Sequence, residues 1–166
     1  MARNIIILGI LIALCSPGCK APAYLPDAEE IGIHEFGSFV IIDLTEGSDI
    51  EGELIAVDDT ALIVLSKEDE NRIQSVPIAR IKGFKLMYAQ PKNYGWTIPV
   101  SALATLSHGF LLVFTAPVNI IVTSGVTARG ANAFTYNDGD ITMEEIKMFA
   151  RFPQGLPPDI EVANLK

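Results

Sequence analysis

Between Phe36 and Tyr88 the chain alternates short apolar runs with clusters of turn residues, the pattern of a small all-β domain. Ser38–Leu44, Ile50–Val57, Ala61–Ser66, Arg72–Val76 and Ile81–Tyr88 read as five strands. Glu46-Gly47-Ser48-Asp49, Asp58-Asp59-Thr60 and the charged tip Lys67–Asn71 separate the first four, and Pro77–Arg80 reads as one 3₁₀ turn before the fifth. Gly52, midway along the second strand, marks a bulge or sharp bend. Five short strands in about 50 residues predict a small closed barrel.

The next segment has another period. Tyr94–Ala128 holds no charged residue. A helix begun by Pro99 puts Leu103, Leu106, Phe110, Leu111 and Phe114 on one broad face, with Ser101, Thr105 and His108 as a narrow polar stripe opposite. Thr115-Ala116-Pro117 restarts a helix on which Asn119, Thr123 and Thr127 recur at spacing four. The pattern predicts an apolar helical hairpin over 96–128 with its polar stripes facing inward, as helix contacts in lipid prefer. Its length allows one span of about 20 residues and a shorter return. Tyr94 and Trp96 suit an interfacial belt, with Lys82, Lys85, Lys92 and Arg129 flanking. The same pattern fits a soluble hairpin packed on the barrel, and the β-branched run Val118–Val122 also admits a strand. Beyond it, 129–166 is a loop, a capping box Thr142-x-x-Glu145 opening a short helix over Met143–Arg151, and a tail rich in breakers.

At the amino end, Met1-Ala2-Arg3-Asn4 precedes the apolar run Ile5–Leu14 and then Cys15-Ser16-Pro17-Gly18-Cys19. A basic start, a short apolar core and small residues form a secretory signal layout. The segment resembles a type II (lipoprotein) signal peptide. The resemblance implies cleavage before Cys19 and acyl chains on that cysteine. Gly18 suits the position before the cut, Pro17 and Ser16 suit theirs less well, and Leu14 is too bulky to precede a cut at Cys15. Both cysteines of the chain lie in this segment, so the mature chain keeps one, and lipidation gives it a use. Residues 1–18 are thus expected to be a signal peptide and 19–35 a proline-containing tether lifting the domain from the membrane.

The strand region, 36–90, resembles an SH3-like or Sm-like barrel. The residues that carry the likeness are Gly37, Val40, Leu44, Gly47, Gly52, Leu54, Val57, Leu62, Val64 and Val76-Pro77-Ile78 with Ile81. These specify fold rather than activity. The expected fold class is therefore mainly β with helical additions: a five-stranded SH3-like/Sm-like small barrel, then an apolar helical hairpin and a short C-terminal helix.

Charge and candidate chemistry narrow the function. With 12 basic and 20 acidic residues the net charge is −8. The acids crowd between Asp27 and Glu70, including the turns where Sm-type proteins hold nucleic acid, so no nucleic-acid partner is expected. Asn137-Asp138-Gly139-Asp140 with Glu145 is similar to half of a calcium loop, but Phe134 and Tyr136 stand where the first oxygen ligands belong. His34 and His108 are the only histidines and lie apart, which excludes a paired zinc set. Ser107 and His108 are adjacent and diverge on a helix. The acid pairs Glu51/Glu53 and Asp58/Asp59 read as solvated charge at strand edges and turns. No catalytic, cofactor-binding or metal-ligating residue is assigned, and no cofactor. The expectation is a lipid-anchored cell-envelope protein, in the outer rather than the inner membrane, acting as a non-enzymatic interaction or structural module. Its partners are the membrane, through lipid on Cys19 and the 96–128 hairpin, and an envelope protein. The alternative is a small-molecule or lipid-binding protein, or an enzyme, with a site around Ser101, Thr105, His108, Asn119 and Thr123.

Overall fold

A computed structural model describes residues 21–67, 73–92, 94–106, 109–158 and 160. They form two compact units, one of residues 21–90 with 134–166 and one of residues 91–133.

The first is a sheet unit. Its strands are β1 (Phe39–Leu44), β2 (Ile50–Val57), β3 (Ala61–Ser66), β4 (Ile73–Pro77), β5 (Ile81–Met87) and β6 (Thr135–Asn137). The order is β4-β3-β2-β1-β5-β6, and every pairing is antiparallel. Five strands occupy the runs that predicted them, and a 3₁₀ turn over Ile78–Arg80 joins β4 to β5. The closed five-stranded barrel, however, does not form: the sheet is six-stranded and open. The free edge of β5 takes β6 instead of closing on β4, with Lys85, Leu86 and Met87 opposite Asn137, Tyr136 and Thr135. The other end of the sheet is β4, paired with β3.

The side-chain period places Val40, Ile42, Leu54, Leu62, Val64 and Leu86 on one face, all fully buried. Burying each of these contributes about 1.5–3 kcal/mol. The register of β2 against β3 shifts between Leu54 and Ala56. That irregularity turns Ile55 and Ala56 to the opposite face, where Phe152, Leu156 and Ile160 cover them. It falls three residues beyond Gly52, the position from which a bulge was expected. Gly52 instead permits close approach, since a Cβ there would strike the Leu65 carbonyl oxygen.

The short C-terminal helix expected over Met143–Arg151 is a 3₁₀ turn over Glu145–Phe149. The Thr142 capping box opens it: Thr142 N donates to Glu145 Oε2 at 2.8 Å, and Glu145 N to Thr142 Oγ1 at 3.3 Å. Ile146 is carried into the core. The turn stops because Ala150 is extended (φ −77°, ψ 154°) and the next residues join the sheet. β1 pairs with β2 as far as Glu53, and beyond that point Arg151 N donates to Leu54 O (3.0 Å) and Phe152 N to Ile55 O (2.9 Å). The late segment fills the gap left where β2 diverges from β1.

The chain ahead of β1 is also fastened to this unit. Gln90 Nε2 donates to Pro22 O (2.6 Å) and Leu25 O (3.2 Å), Gln90 N donates to Pro26 O (2.9 Å), and Leu25 is buried.

The second unit contains α1 (Thr97–Leu106), a 3₁₀ turn over Gly109–Leu111 and α2 (Leu112–Ala131). The apolar helical hairpin expected over 96–128 is overturned. α2 is not an apolar helix: it runs to Ala131 and carries Thr115, Asn119, Thr123, Ser124, Thr127 and Arg129. α1 has ten residues, about 15 Å of rise against a hydrocarbon core of about 30 Å. Among the described residues no helix is long and apolar enough to cross a membrane, so the transmembrane reading falls with the hairpin.

Candidate functional site

The chemically distinctive region of the sheet unit is an open cleft of about 440 Å³. Its lining includes His34, Glu35, Phe36, Tyr88, Tyr136, Phe149 and Arg151. Tyr88 follows the end of β5 and Tyr136 is the middle residue of β6, so strand pairing sets both rings. They stack with centroids 5.4 Å apart and planes at 16°. Phe149 packs against both, at 5.4 Å from Tyr88 and 5.6 Å from Tyr136, and Phe134 meets Tyr88 edge-on at 5.6 Å. Burial, and then the neighbouring Tyr136 hydroxyl, push the Tyr88 phenol above its usual value, so it stays a neutral donor.

Behind the cleft is a buried ion pair. Glu53, on β2, is 6% exposed and was expected to be a solvated edge charge; it lies inside because residues 149–152 cover that half of the strand. Arg151 Nε donates to Glu53 Oε1 (2.7 Å) and its Nη2 to Oε2 (2.5 Å). Gly37 N gives Oε1 a further bond at 2.6 Å. This forked arrangement suits a planar guanidinium. Position 37 admits no side chain, because a Cβ there would strike Leu54 O and lie 2.7 Å from Arg151 N. The guanidinium also sits over the Phe36 ring, 4.9 Å from its centroid. Tyr24 packs on Phe36 at 5.9 Å, and its buried hydroxyl has no hydrogen-bond partner among the described residues. Burial first and the Glu53 charge second push that phenol far up, against the opposing pull of Arg151.

The sequence-derived residues fall elsewhere. In the helical unit Asn119 Nδ2 donates to Thr105 Oγ1 (2.7 Å) and Thr123 Oγ1 to Ser101 Oγ (3.0 Å). Thr105 Oγ1 also donates to Ser101 O at 2.7 Å. Ser101 and Thr105 thus meet Asn119 and Thr123, while the buried Thr127 Oγ1 has no hydrogen-bond partner among the described residues. His108 and Cys19 lie outside the described residues. None of the aromatic cleft residues, nor Arg151, stood out in the sequence as a site. The one available signal was Glu53, an acid set between Gly52 and the apolar run Leu54–Val57, which called for a buried partner. The half calcium loop is an internally bonded turn, in which Asp140 Oδ2 accepts from Asn137 N (2.9 Å) and Nδ2 (3.1 Å). Among the described residues no group of three or more His, Cys, Asp or Glu is placed to hold a metal.

No protein-family model, curated protein or solved structure matches the chain.

Proposed function

We propose that this chain is an exported lipoprotein of the bacterial cell envelope, anchored through Cys19, whose sheet unit is a non-enzymatic module binding a segment of an envelope protein. The observation that carries the binding reading is the cleft formed by stacked Tyr88 and Tyr136, Phe149 and the Arg151–Phe36 pair. Rigid aromatic faces with polar edges beside an arginine are the residue types that supply most of the energy at protein interfaces. The polar groups shared by α1 and α2 favour packing over a ligand site there, because Ser101, Thr105, Asn119 and Thr123 already bond to each other. A cleft of this volume also falls in the small-ligand range of about 300–1,000 Å³, which supports a small molecule as the second reading.

A photo-crosslinking residue at Met148, exposed on the cleft wall, tests the module in intact cells. A discrete crosslinked envelope protein is expected, with at least about a tenfold loss when Tyr136→Ala removes one stacked ring, equivalent to about 1.4 kcal/mol. No crosslink above that of an unrelated surface position would overturn the protein-partner reading. In parallel, Cys19→Ser should abolish lipid labelling. A label that persists sinks the anchor assignment.

A further inference from the structure

The helical unit is built with its polarity reversed. Its two helices meet through hydroxyl and amide groups, whereas Leu103, Leu111, Phe114, Val118, Ile121 and Val122 are exposed. On α2 and the turn before it, Leu111, Phe114, Val118, Ile121 and Val122 lie on one stripe and are all more than half exposed, Phe114 at 70% and Ile121 at 71%. On α1, Leu103 is 68% exposed. A helix pair surrounded by water has the opposite arrangement.

Charge and aromatic residues add a direction along the helices. Residues 91–133 contain Lys92 and Arg129 and no acid, in a chain of net charge −8. Lys92 N donates to Gly130 O at 3.2 Å, which brings the start of the unit beside the end of α2. Lys92, Tyr94, Trp96 and Arg129 therefore share one end, while Leu111 and Phe114 stand exposed at the other. A basic and aromatic base with an apolar tip is the gradient a lipid interface presents, headgroups first and hydrocarbon beyond.

The chain path points the same way. Cys19 precedes Pro22 by three residues, at most about 10 Å of extended chain. Pro22 O is held by Gln90, and Pro91, the next residue, begins the helical unit.

We infer that the outward face of α1 and α2 beds into the interfacial layer of the same leaflet that holds the lipid on Cys19, without crossing the bilayer. This rests on the anchor reading for its choice of leaflet but not for the contact itself. Trp96, the only tryptophan of the chain and 64% exposed, reports on it directly. Processed full-length protein is reconstituted with vesicles of phosphatidylcholine and phosphatidylglycerol in which part of the phosphatidylcholine carries bromine on its acyl chains. Wild type should lose about half or more of its Trp96 emission relative to unbrominated vesicles. Phe114→Asp with Ile121→Asp should remove that quenching while the protein still floats with the vesicles through its lipid. Leu103→Asp, on the other helix, should weaken it independently. An unquenched Trp96 in wild type overturns the inference, and a crosslinked dimer in that sample names a second copy as the occupant instead. If mass spectrometry finds no lipid on Cys19, persistent quenching still upholds the contact while the anchor reading fails.

Discussion

A single carboxylate joins the two ends of the sheet unit. Glu53 is buried on β2 and receives three donors, one from Gly37 and two from Arg151, 98 residues further on. Taking two charges out of water is unfavourable, and only close forked geometry with a further donor offsets it. Removing one partner leaves the other buried and unneutralised. Arg151→Met is therefore expected to destabilise the sheet unit by about 3–5 kcal/mol. Glu53→Gln combined with Arg151→Met should destabilise by clearly less than the sum of the single changes. Urea titrations of the three variants measure that coupling, and strict additivity would show that the pair is not the unit of stability. Asp58 works differently, at the surface.

The β2–β3 turn is short because Asp58 holds it. Its Oδ1 accepts from Thr60 N (2.7 Å), Thr60 Oγ1 (2.9 Å) and Ala61 N (2.7 Å). These bonds favour the charged form, the Thr60 backbone N–H most of all, and hold the carboxyl below its ordinary range. A pKa depressed in the folded state contributes stability that is complete above the unfolded value, near 3.9, and is lost as pH falls through the lower folded value. Asp58→Asn should flatten the acid limb of a Tm-against-pH profile and leave its shape above about pH 6 unchanged; an unaltered acid limb would rule the turn out as a source of acid sensitivity. This turn, like the other strand boundaries, was legible in Asp58-Asp59-Thr60 between two β-branched runs. Sheet closure was not, because alternation along a strand says which face is buried and nothing about its far neighbour. β6 is three residues, Thr135-Tyr136-Asn137, too short and polar for a pattern to declare it. The cleft was hidden for the same reason: Phe36, Tyr88, Tyr136 and Phe149 converge only once β6 and the 3₁₀ turn are in place. In the helical segment the polar spacing was visible, but the same spacing suits contact in water or lipid, and among the described residues no helix is both long and apolar enough for a crossing.

For the molecule as a whole, the stretch before β1 is a strap more than a leash. Gln90 holds Pro22 and Leu25 through its side chain and Pro26 through its backbone. Gln90→Ala removes two side-chain bonds, each worth about 0.5–1.5 kcal/mol. Cleavage after Glu29, Glu30 and Glu35 by a glutamate-specific protease should then accelerate by about tenfold, since cutting follows local opening. Equal cleavage rates would mean that the Leu25 contacts alone fasten the strap. The late arrival of residues 149–152 has a consequence in time. Synthesis proceeds at about 5–20 residues per second, so Glu53 waits roughly 5–20 seconds for Arg151 to be made. During that interval the β1–β2 gap has nothing to fill it, and the sheet unit lacks its last pairing. Loop closure over so many residues adds little further entropy, but it cannot begin early. For that interval a nascent chain holds Glu53 without its arginine, and the sheet unit is complete only when residues 149–152 emerge.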